Sequence, residues 1–389
     1  MRHFWYLPLE SLKARYTSQL SEKWMPAAFN AVSNGIYSFE RDGIYSFERV
    51  STPDVSEEIK VGSVLDGVNR GVVSLQQMSW LLQQDVTSDD VVFLQDFFTP
   101  GLEALLYAWH LKGVKPRIYA MCHAQSVDEY DFTHTMRSWM RPLEIGWSRA
   151  MAGIFVGSTI HRDQMKAAGF ECPIHVVGLP IDSQEVLNRI PQDIERKKQV
   201  IFCSRLNNEK NPRFMLEVAE TFLKQHPEWS WVVTSSAQQW SSEVSGLLAS
   251  CQALEEDTAG RFKMLCRLTK NDYYHELRRS QIQFNSSLQD YVSWCLLEAT
   301  LAGCDLVYPD FRSFPECVDA TRRYVPFEVD SALDFLGHVV NFPTTWPRPA
   351  KVCNDGRLIE MAIMLKNWQG PAVNVWMQPA SYFQGVGLL

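Results

Sequence analysis

Short apolar runs alternate with helical segments along this 389-residue chain, and the alternation occurs twice. In the first half, the strand candidates are 3–7, 91–94, 117–122 and 153–156. In the second half, they are 200–203, 231–234, 262–265, 281–285 and 305–308. Because two parallel strands need a crossover connection, strands that alternate with helices at this spacing predict a parallel, doubly wound sheet. The sequence therefore predicts an α/β protein with two Rossmann-like domains.

The segment 181–198 separates the two halves, and its charged residues together with Pro191 predict a linker. The expected N-terminal domain is then 1–180, and the expected C-terminal domain is 199–350. Residues 351–389 are predicted to form a helix and a tail that cross back to the N-terminal domain. In open α/β sheets, ligands bind beyond the carboxyl ends of the strands. Two such domains that face each other across a cleft would bind a ligand there.

Composition excludes several classes of protein. Hydrophobic residues make up 46% of the chain and charged residues 21%, which is ordinary for a soluble globular protein. The net charge of −8 argues against broad polyanion binding but leaves room for a local basic face. Nine cysteines without a CxxC pair or a Cys/His cluster indicate reduced thiols, no zinc site and a cytoplasmic location. The sequence contains no apolar run long enough to span a membrane.

The stretch 290–316 carries the strongest chemical signal. A buried helix is predicted over 295–302, and Gly303 suits its left-handed C-cap. Asp290 would precede this helix, and Glu298 would lie about one and a half turns inside it. A helix N-terminus suits an anion, and a carboxylate at its flank can accept hydrogen bonds from sugar hydroxyls. Phosphate and hydroxyls together indicate a nucleotide sugar.

The loop after the strand at 200–203 presents two cations, Arg205 and Lys210. Asn211 is positioned to cap the following helix, with Pro212 in its first turn. Arginine offers a bidentate fork for phosphate oxygens, and lysine adds a point charge. Two fixed cations beside a diphosphate would stabilise the negative charge that develops on a leaving phosphate. Two ordinary surface cations are the alternative for this pair taken alone.

Several residues of the first half are candidates whose roles stay open. Asp96 and His123 follow predicted strands, where a ligand contact and a structural hydrogen bond are about equally expected for His123. Arg137 and Arg141 would share a helix face beside Trp139, a pattern that fits either nucleic-acid binding or an amphipathic helix. For Arg15, a solvated charge and an acceptor contact are the two alternatives.

Three stretches carry a resemblance to a known family: SRLNNEKNP, SSLQDYVSWCLLEATLAGCDLVYP and SFPE. They resemble the C-terminal domain of retaining GT-B glycosyltransferases of the largest (family 4-like) nucleotide-sugar family, over Val200–Glu316. The resemblance implies that Glu298 binds the donor ribose and that Asp290 contacts the transferred sugar. It also implies that Arg205 and Lys210 hold the diphosphate.

The resemblance implies further donor contacts. The segment 267–271 would hold the nucleotide base, and His123 would contact the donor sugar. Tyr291-Val292-Ser293 departs from the family, which usually has glycines here. The implied donor-binding set is Ser204, Arg267, Leu268, Tyr291, Val292 and Ser293. The implied reaction is transfer from a nucleotide sugar, expected to be a UDP-sugar, with retention and without a metal.

The acceptor is suggested by a second resemblance. The stretches YLPLESLKARYTSQL and FLQDFFTPGLEAL look like bacteriophage-type enzymes that glycosylate hydroxymethylated pyrimidines in DNA, which would act in the host cytoplasm. The implied acceptor contacts are Arg15, Asp96, Arg137 and Arg141. Charge supports this only in part, since residues 1–178 carry 16 Lys and Arg against 20 Asp and Glu. A glycan, lipid or small-molecule acceptor is the alternative, as is a non-transferring binding protein or an epimerase.

Overall fold

The computed structural model describes residues 2–9, 19–25, 45–49, 68–178, 181–237 and 239–343. The sequence GIYSFER occurs twice, at 35–41 and at 43–49. The candidate Arg15, the first copy of this repeat and the segment 351–389 lie outside the described residues. The second repeat copy contributes an edge strand that pairs in parallel with the first strand of the chain.

The first sheet has six parallel strands in the order β2-β1-β3-β4-β5-β6. Its strands are β1 Arg2–Leu7, β2 Tyr45–Arg49, β3 Val91–Leu94, β4 Arg117–Cys122, β5 Gly153–Val156 and β6 Ile174–Val176. Its helices are α1 Val68–Leu82, α2 Leu102–Lys112, α3 Arg137–Ala150 and α4 Thr159–Ala167. The strand order reverses between β1 and β3, which is where open sheets bind ligands.

The second sheet is also parallel and six-stranded, in the order β12-β11-β10-β7-β8-β9. Its strands are β7 Lys197–Phe202, β8 Ser230–Thr234, β9 Phe262–Leu265, β10 Ser280–Phe284, β11 Asp305–Pro309 and β12 Arg323–Tyr324. The remaining helices are α5 Ser183–Arg189, α6 Pro212–Gln225, α7 Leu247–Asp257, α8 Lys270–Arg279, α9 Trp294–Ala302, α10 Phe314–Cys317 and α11 Val329–Asn341. The strand order of this second sheet reverses between β7 and β10. The predicted pair of doubly wound α/β sheets is confirmed.

The segment 181–198 is a packed helix and the start of a strand rather than extended chain. Asp182 caps α5, since its side chain accepts a hydrogen bond from the Glu185 amide at 2.9 Å. Val186 is fully buried in a core that also contains Trp24 and Trp294, whose rings stack 5.1 Å apart. One hydrophobic core therefore contains residues from both halves of the chain.

Polar contacts join the carboxyl edges of the two sheets. Arg312 donates to Asp128 at 2.8 Å and to Glu129 at 3.1 Å, and the Arg312 and Asp128 side chains are only 7% and 0% exposed. Glu316 accepts from the backbone amides of Thr159 and Ile160, at 2.8 and 3.0 Å, and so caps the N-terminus of α4. The second half of the chain thus supplies the N-terminal cap of a helix in the first half.

A buried carboxylate fastens the loop after β4 to α3. Glu144 is fully buried and accepts hydrogen bonds from the hydroxyl and the backbone amide of Ser126. Burial raises the pKa of Glu144 to about 7, and the Ser126 hydrogen bonds oppose that shift. Asp131 lies in the same region, and burial raises its pKa to about 6. These acids take up protons on folding, so they destabilise the folded state as the pH rises past their pKa.

Substitution of Arg312 by Met should destabilise the protein, because Asp128 would stay buried without its counter-charge. Loss of one partner of a buried pair costs about 3–5 kcal/mol. The Arg312→Met/Asp128→Asn double variant should recover most of that loss, since no unpaired charge remains. Urea unfolding at neutral pH measures the stability of the single and the double variant. The control is Arg149→Met, at an exposed arginine, which should leave the unfolding midpoint unchanged. Equal midpoints for the single and double variants would contradict the pairing.

Glu144 should make the protein less stable as the pH rises from 5.5 to 8.5. A folded pKa of about 7 against an ordinary value of 4.5 corresponds to a contribution of about 3 kcal/mol, present below pH 4.5 and lost as the pH rises to 7. The Glu144→Gln variant keeps the acceptor for Ser126 without the charge, so its unfolding midpoint should decline less. The exposed Glu103→Gln should keep the wild-type slope. A Glu144→Gln slope equal to the wild type would refute this assignment.

Candidate active site

The loop after β7 holds the two predicted cations at the point where the second strand order reverses. Lys210 is buried, and its Nζ donates to Asp290 at 2.6 Å and to Ser287 at 3.1 Å. Arg205, next to Ser204, is one-third exposed and pairs with Glu209 at 2.8 Å. The sequence had predicted Lys210 and Asp290 for one ligand, and the structure brings these two side chains into contact.

Local backbone geometry explains why the loop turns here. A short 3₁₀ turn, Asn208–Lys210, ends at Asn211, which has a φ of 48° and precedes Pro212 at the start of α6. Asn211 therefore occupies the predicted cap position, but its side chain makes no capping hydrogen bond. Asparagine tolerates this left-handed conformation better than most residues. The turn brings Lys210 back under the loop that follows β10.

Helix α9 positions the second acid. Apart from Glu298 and Thr300 its residues are apolar, most of them are buried, and the helix ends at Gly303 with a φ of 84°, as predicted. The Glu298 side chain is 4% exposed, and its Oε1 accepts hydrogen bonds from Lys270 and, at 2.9 Å, from Tyr274. Asp290 precedes the helix, and its backbone oxygen accepts from the Ser313 hydroxyl at 2.6 Å.

The two acids and two lysines act electrostatically on the partly buried thiol of Cys295, in the first turn of α9. Burial raises the pKa of Cys295 to about 12; the charges of Glu298 and Asp290 raise it further, and those of Lys270 and Lys210 lower it. Four charged groups, from the loops after β7 and β10 and from helices α8 and α9, therefore lie within electrostatic reach of one atom. This convergence defines the candidate site.

The segment expected at the nucleotide base connects β9 to α8. Arg267 has a φ of 59°, and its amide donates to the Ala237 oxygen at 2.8 Å. The Leu268 amide donates to the Ser235 oxygen at 3.2 Å, so this loop is fastened to the one after β8. Thr269 and Asp272 form a capping box that starts α8. The cap directs Lys270, in the first turn, toward Glu298.

Lys270 and Tyr274 are residues that the sequence reasoning did not assign. Lys270 lies within the segment expected to hold the base, and the Thr-x-x-Asp pattern that starts its helix was visible in the sequence. Nothing in the sequence indicated that Lys270 would pair with Glu298. In the structure, its Nζ lies 4.8 and 4.9 Å from the ring centroids of Tyr273 and Tyr274.

The residues at 291 and 292, where the resemblance in the sequence leads us to expect glycines, pack against the other half of the chain. The Tyr291 ring stacks on His161 with centroids 3.8 Å apart, and its hydroxyl donates to Gln164 at 2.5 Å. Val292 packs on Gly157, and a Cβ at position 157 would lie only 3.0 Å from Cγ2 of Val292. Ser293 is the N-cap residue of α9. The predicted donor contacts at 291 and 292 are thus engaged in contacts with the first half.

The first half contributes polar residues to the facing edge. His123 follows β4, and its Nε2 lies 3.1 Å from the Gln95 oxygen. Asp96 follows β3 and accepts from the Phe98 amide at 3.1 Å and from Gln125 at 3.4 Å. Both residues lie at the predicted edge, beside the reversal of strand order.

The loop after β4 also reaches the second half of the chain. Asp131 accepts from Gln289, the neighbour of Asp290 in the chain, at 3.4 Å. The charge of Lys210 also lowers the pKa of Asp128, although burial raises that pKa on balance. Carboxylates of the first half and the Lys210–Asp290 pair of the second half are therefore close in space.

Helix α3 carries the predicted basic and aromatic residues in different environments. Arg137 is exposed, and the Trp139 side chain is 55% exposed beside it. Arg141 instead points inward and donates to the Ser126 backbone oxygen at 2.6 Å. Trp147 is buried in the core, as the amphipathic alternative requires. An exposed cation and an exposed aromatic side chain remain on the surface of this helix.

In the described part of the chain, no group of three or more His, Cys, Asp or Glu side chains is arranged to hold a metal ion. No helix in those ranges is long and apolar enough to cross a membrane.

Comparison with known proteins identifies the fold. The sequence matches no protein-family model and no curated protein. Among solved structures, E. coli trehalose-6-phosphate synthase bound with UDP-2-fluoro glucose is similar at 10% identity and a TM-score of 0.60, covering 93% of this chain and 96% of that one. An α,α-trehalose-phosphate synthase from Burkholderia vietnamiensis is similar at 13% identity and a TM-score of 0.60, covering 94% and 95%.

The S. aureus protein TarM, crystallised as its G117R mutant with fondaparinux, alpha-GlcNAc-glycerol and UDP, is similar at 16% identity and a TM-score of 0.51. That match covers 75% of this chain but only 56% of TarM. Identities this low establish the architecture alone. With its two parallel sheets and facing carboxyl edges, the chain has the GT-B fold.

Proposed function

We propose that this protein is a retaining glycosyltransferase that moves a sugar from a UDP-sugar to an acceptor hydroxyl. The observation that carries the proposal is that the ion pairs Lys210–Asp290 and Lys270–Glu298 lie just before α9 and within it, beside the reversal of strand order. The fold supports it, since two of the similar structures contain UDP or UDP-2-fluoro glucose.

In this proposal each charged group binds a different part of the donor. Arg205 and Lys210 bind the diphosphate and stabilise the charge that develops on it as the sugar leaves. Asp290 accepts hydrogen bonds from the transferred sugar, and Glu298 accepts them from the ribose. The base lies against the loop that contains Arg267 and Leu268, beside Ser204. His123, on the opposite edge, contacts the sugar from the acceptor side.

The proposed reaction needs no protein base. The bond between the anomeric carbon and the diphosphate oxygen breaks, and a bond to the acceptor oxygen forms on the same face of the sugar. The acceptor proton passes to an oxygen of the leaving diphosphate, so atoms and charge balance. The protein's contribution is to position the reactants and stabilise charge, which are large terms in such transfers.

For the acceptor, we propose to test DNA that carries hydroxymethylated pyrimidines first. The supporting observation is that Arg137 and Trp139 are both exposed on α3, where phosphate contact and base stacking are possible. Carboxylates at the sheet edge, including Asp96 and Asp131, confine phosphate contact to the outer side of that helix. Such an enzyme would need the target base turned out of the duplex.

A glycan, lipid or small-molecule acceptor is the alternative, together with a non-transferring binding protein or an epimerase. One experiment separates them: purified protein is incubated with a panel of UDP-sugars and each acceptor class, and products are analysed by mass spectrometry. Sugar on hydroxymethylated DNA supports the first acceptor. Sugar on another acceptor alone rules DNA out, and sugar interconversion without transfer indicates an epimerase.

Substitution of Lys210 by Ala should lower the rate of UDP release from the donor by about 10²–10³-fold, the cost of one such electrostatic contact. The reason is that Lys210 would neutralise the leaving diphosphate. Lys224→Ala, at an exposed lysine of α6, is the matched control and should keep full activity. Circular dichroism verifies folding. Activity of Lys210→Ala equal to that of Lys224→Ala would exclude Lys210 from the site.

Substitution of Glu298 by Ala should abolish transfer mainly through weaker donor binding. Titration calorimetry with UDP should give a raised Kd, because the ribose hydroxyls lose their acceptor. The exposed Glu220→Ala is the matched control and should bind UDP normally. A Glu298→Ala variant that binds UDP like the wild type would contradict the ribose assignment.

A further inference from the structure

The hydrogen bonds of Glu298 are distributed unequally between its two oxygens. Oε1 accepts from both Lys270 and Tyr274, which uses the two lone pairs of that atom. Among the residues that the structure describes, none donates a hydrogen bond to Oε2. The two donors therefore fix the rotation of the carboxylate and leave one defined oxygen for a ligand.

Lys270 provides the counter-charge that a buried carboxylate requires. The Glu298 side chain is 4% exposed, and an ionised carboxylate at that depth is costly without a paired cation. Lys270 is itself held in place, because its Nζ contacts the faces of Tyr273 and Tyr274. The lysine thus has little freedom to leave the carboxylate.

Tyr274 remains a hydrogen-bond donor at any working pH. Burial raises the pKa of its hydroxyl far above the ordinary value, and the charge of Glu298 raises it further. Arg189 of α5 also packs on the Tyr274 ring, with its guanidinium carbon 5.5 Å from the ring centroid. Its position is therefore set by packing independent of any ligand.

We propose that Lys270 and Tyr274 are positioning residues that aim Glu298 Oε2 at the ribose 2′-hydroxyl of the donor and so make the site selective for ribonucleotides over 2′-deoxyribonucleotides. The inference rests on the proposed function, since it specifies how that site recognises its nucleotide. A carboxylate that was free to rotate would lose part of this preference, because the hydrogen bond depends on direction.

Titration calorimetry with UDP and 2′-deoxy-UDP tests the proposal. The wild type should prefer UDP by roughly 10- to 100-fold, the range that a hydrogen bond to a charged group supplies. Lys270→Met keeps the apolar stem and removes the charge. It should weaken UDP binding by about tenfold and leave 2′-deoxy-UDP binding unchanged, so that the preference falls by the same factor. Lys270→Arg should restore part of the preference.

Matched variants separate positioning from general loss of structure. Tyr274→Phe removes one donor and keeps the ring, so it should reduce the preference less than Lys270→Met does. Lys263→Met on β9 and Tyr107→Phe on α2 change exposed residues of the same types and should keep the wild-type preference. In a Glu298→Gln background, Lys270→Met should cause no further loss of preference, because both act through one oxygen.

The outcomes distinguish this inference from the proposed function. No binding of UDP by the wild type would overturn both. If Glu298→Gln removes the preference and Lys270→Met does not, only the positioning role is wrong. Equal weakening of UDP and 2′-deoxy-UDP by Lys270→Met would mean that Lys270 contacts the base or phosphates directly, which also overturns the inference.

Discussion

The buried pair between Lys210 and Asp290 is the contact on which the candidate site depends. It joins the loop after β7 to the loop after β10 at the point where the strand order of the second sheet reverses. Removing either partner would leave a charge buried and unpaired, which costs more than the pair contributes. Ser287 and Ser313 complete the arrangement by bonding Lys210 and the Asp290 backbone. These bonds hold Asp290 at the edge of the sheet.

Under the proposed function, each cation of the site already has a carboxylate partner before a donor arrives. Arg205 is bound to Glu209, and Lys210 to Asp290. A diphosphate would have to share these cations, so binding would exchange one anion for another without leaving a positive charge uncompensated. Such pre-set groups need little reorganisation when charge develops on the leaving group. Asp290 would at the same time become available to a sugar hydroxyl.

The sequence was sufficient for the elements and for part of the site. Apolar periodicity and a left-handed cap residue predicted α9 and its end at Gly303, because both are local properties. Loops that follow neighbouring strands meet at one edge, so the approach of Lys210 to Asp290 followed from the alternation itself. The long-range pairs did not follow. Arg312 and Asp128 are 184 positions apart, and no local signal indicates which loops of two facing domains will touch.

Side-chain direction was the other limit of the sequence. Helical spacing correctly puts Arg137 and Arg141 near each other, but Arg141 bends back to a carbonyl in the loop after β4. Its flexible stem permits several directions, and tertiary contacts select one. The resemblance implies a donor contact for Tyr291, and nothing in the sequence indicated that its ring would stack on His161.

That orientation gives a structural role to the bulky residues of this loop, where the resemblance in the sequence leads us to expect glycine. Successive residues of 289–292 contact opposite sides: Gln289 bonds to Asp131, Asp290 to Lys210, and Tyr291 and Val292 pack on the first half. A glycine loop could follow a ligand independently of the other domain. Here any displacement of the first half pulls on the backbone that holds Asp290. The two halves of the chain are therefore connected through four consecutive residues, and bulky side chains at 291 and 292 make part of that connection.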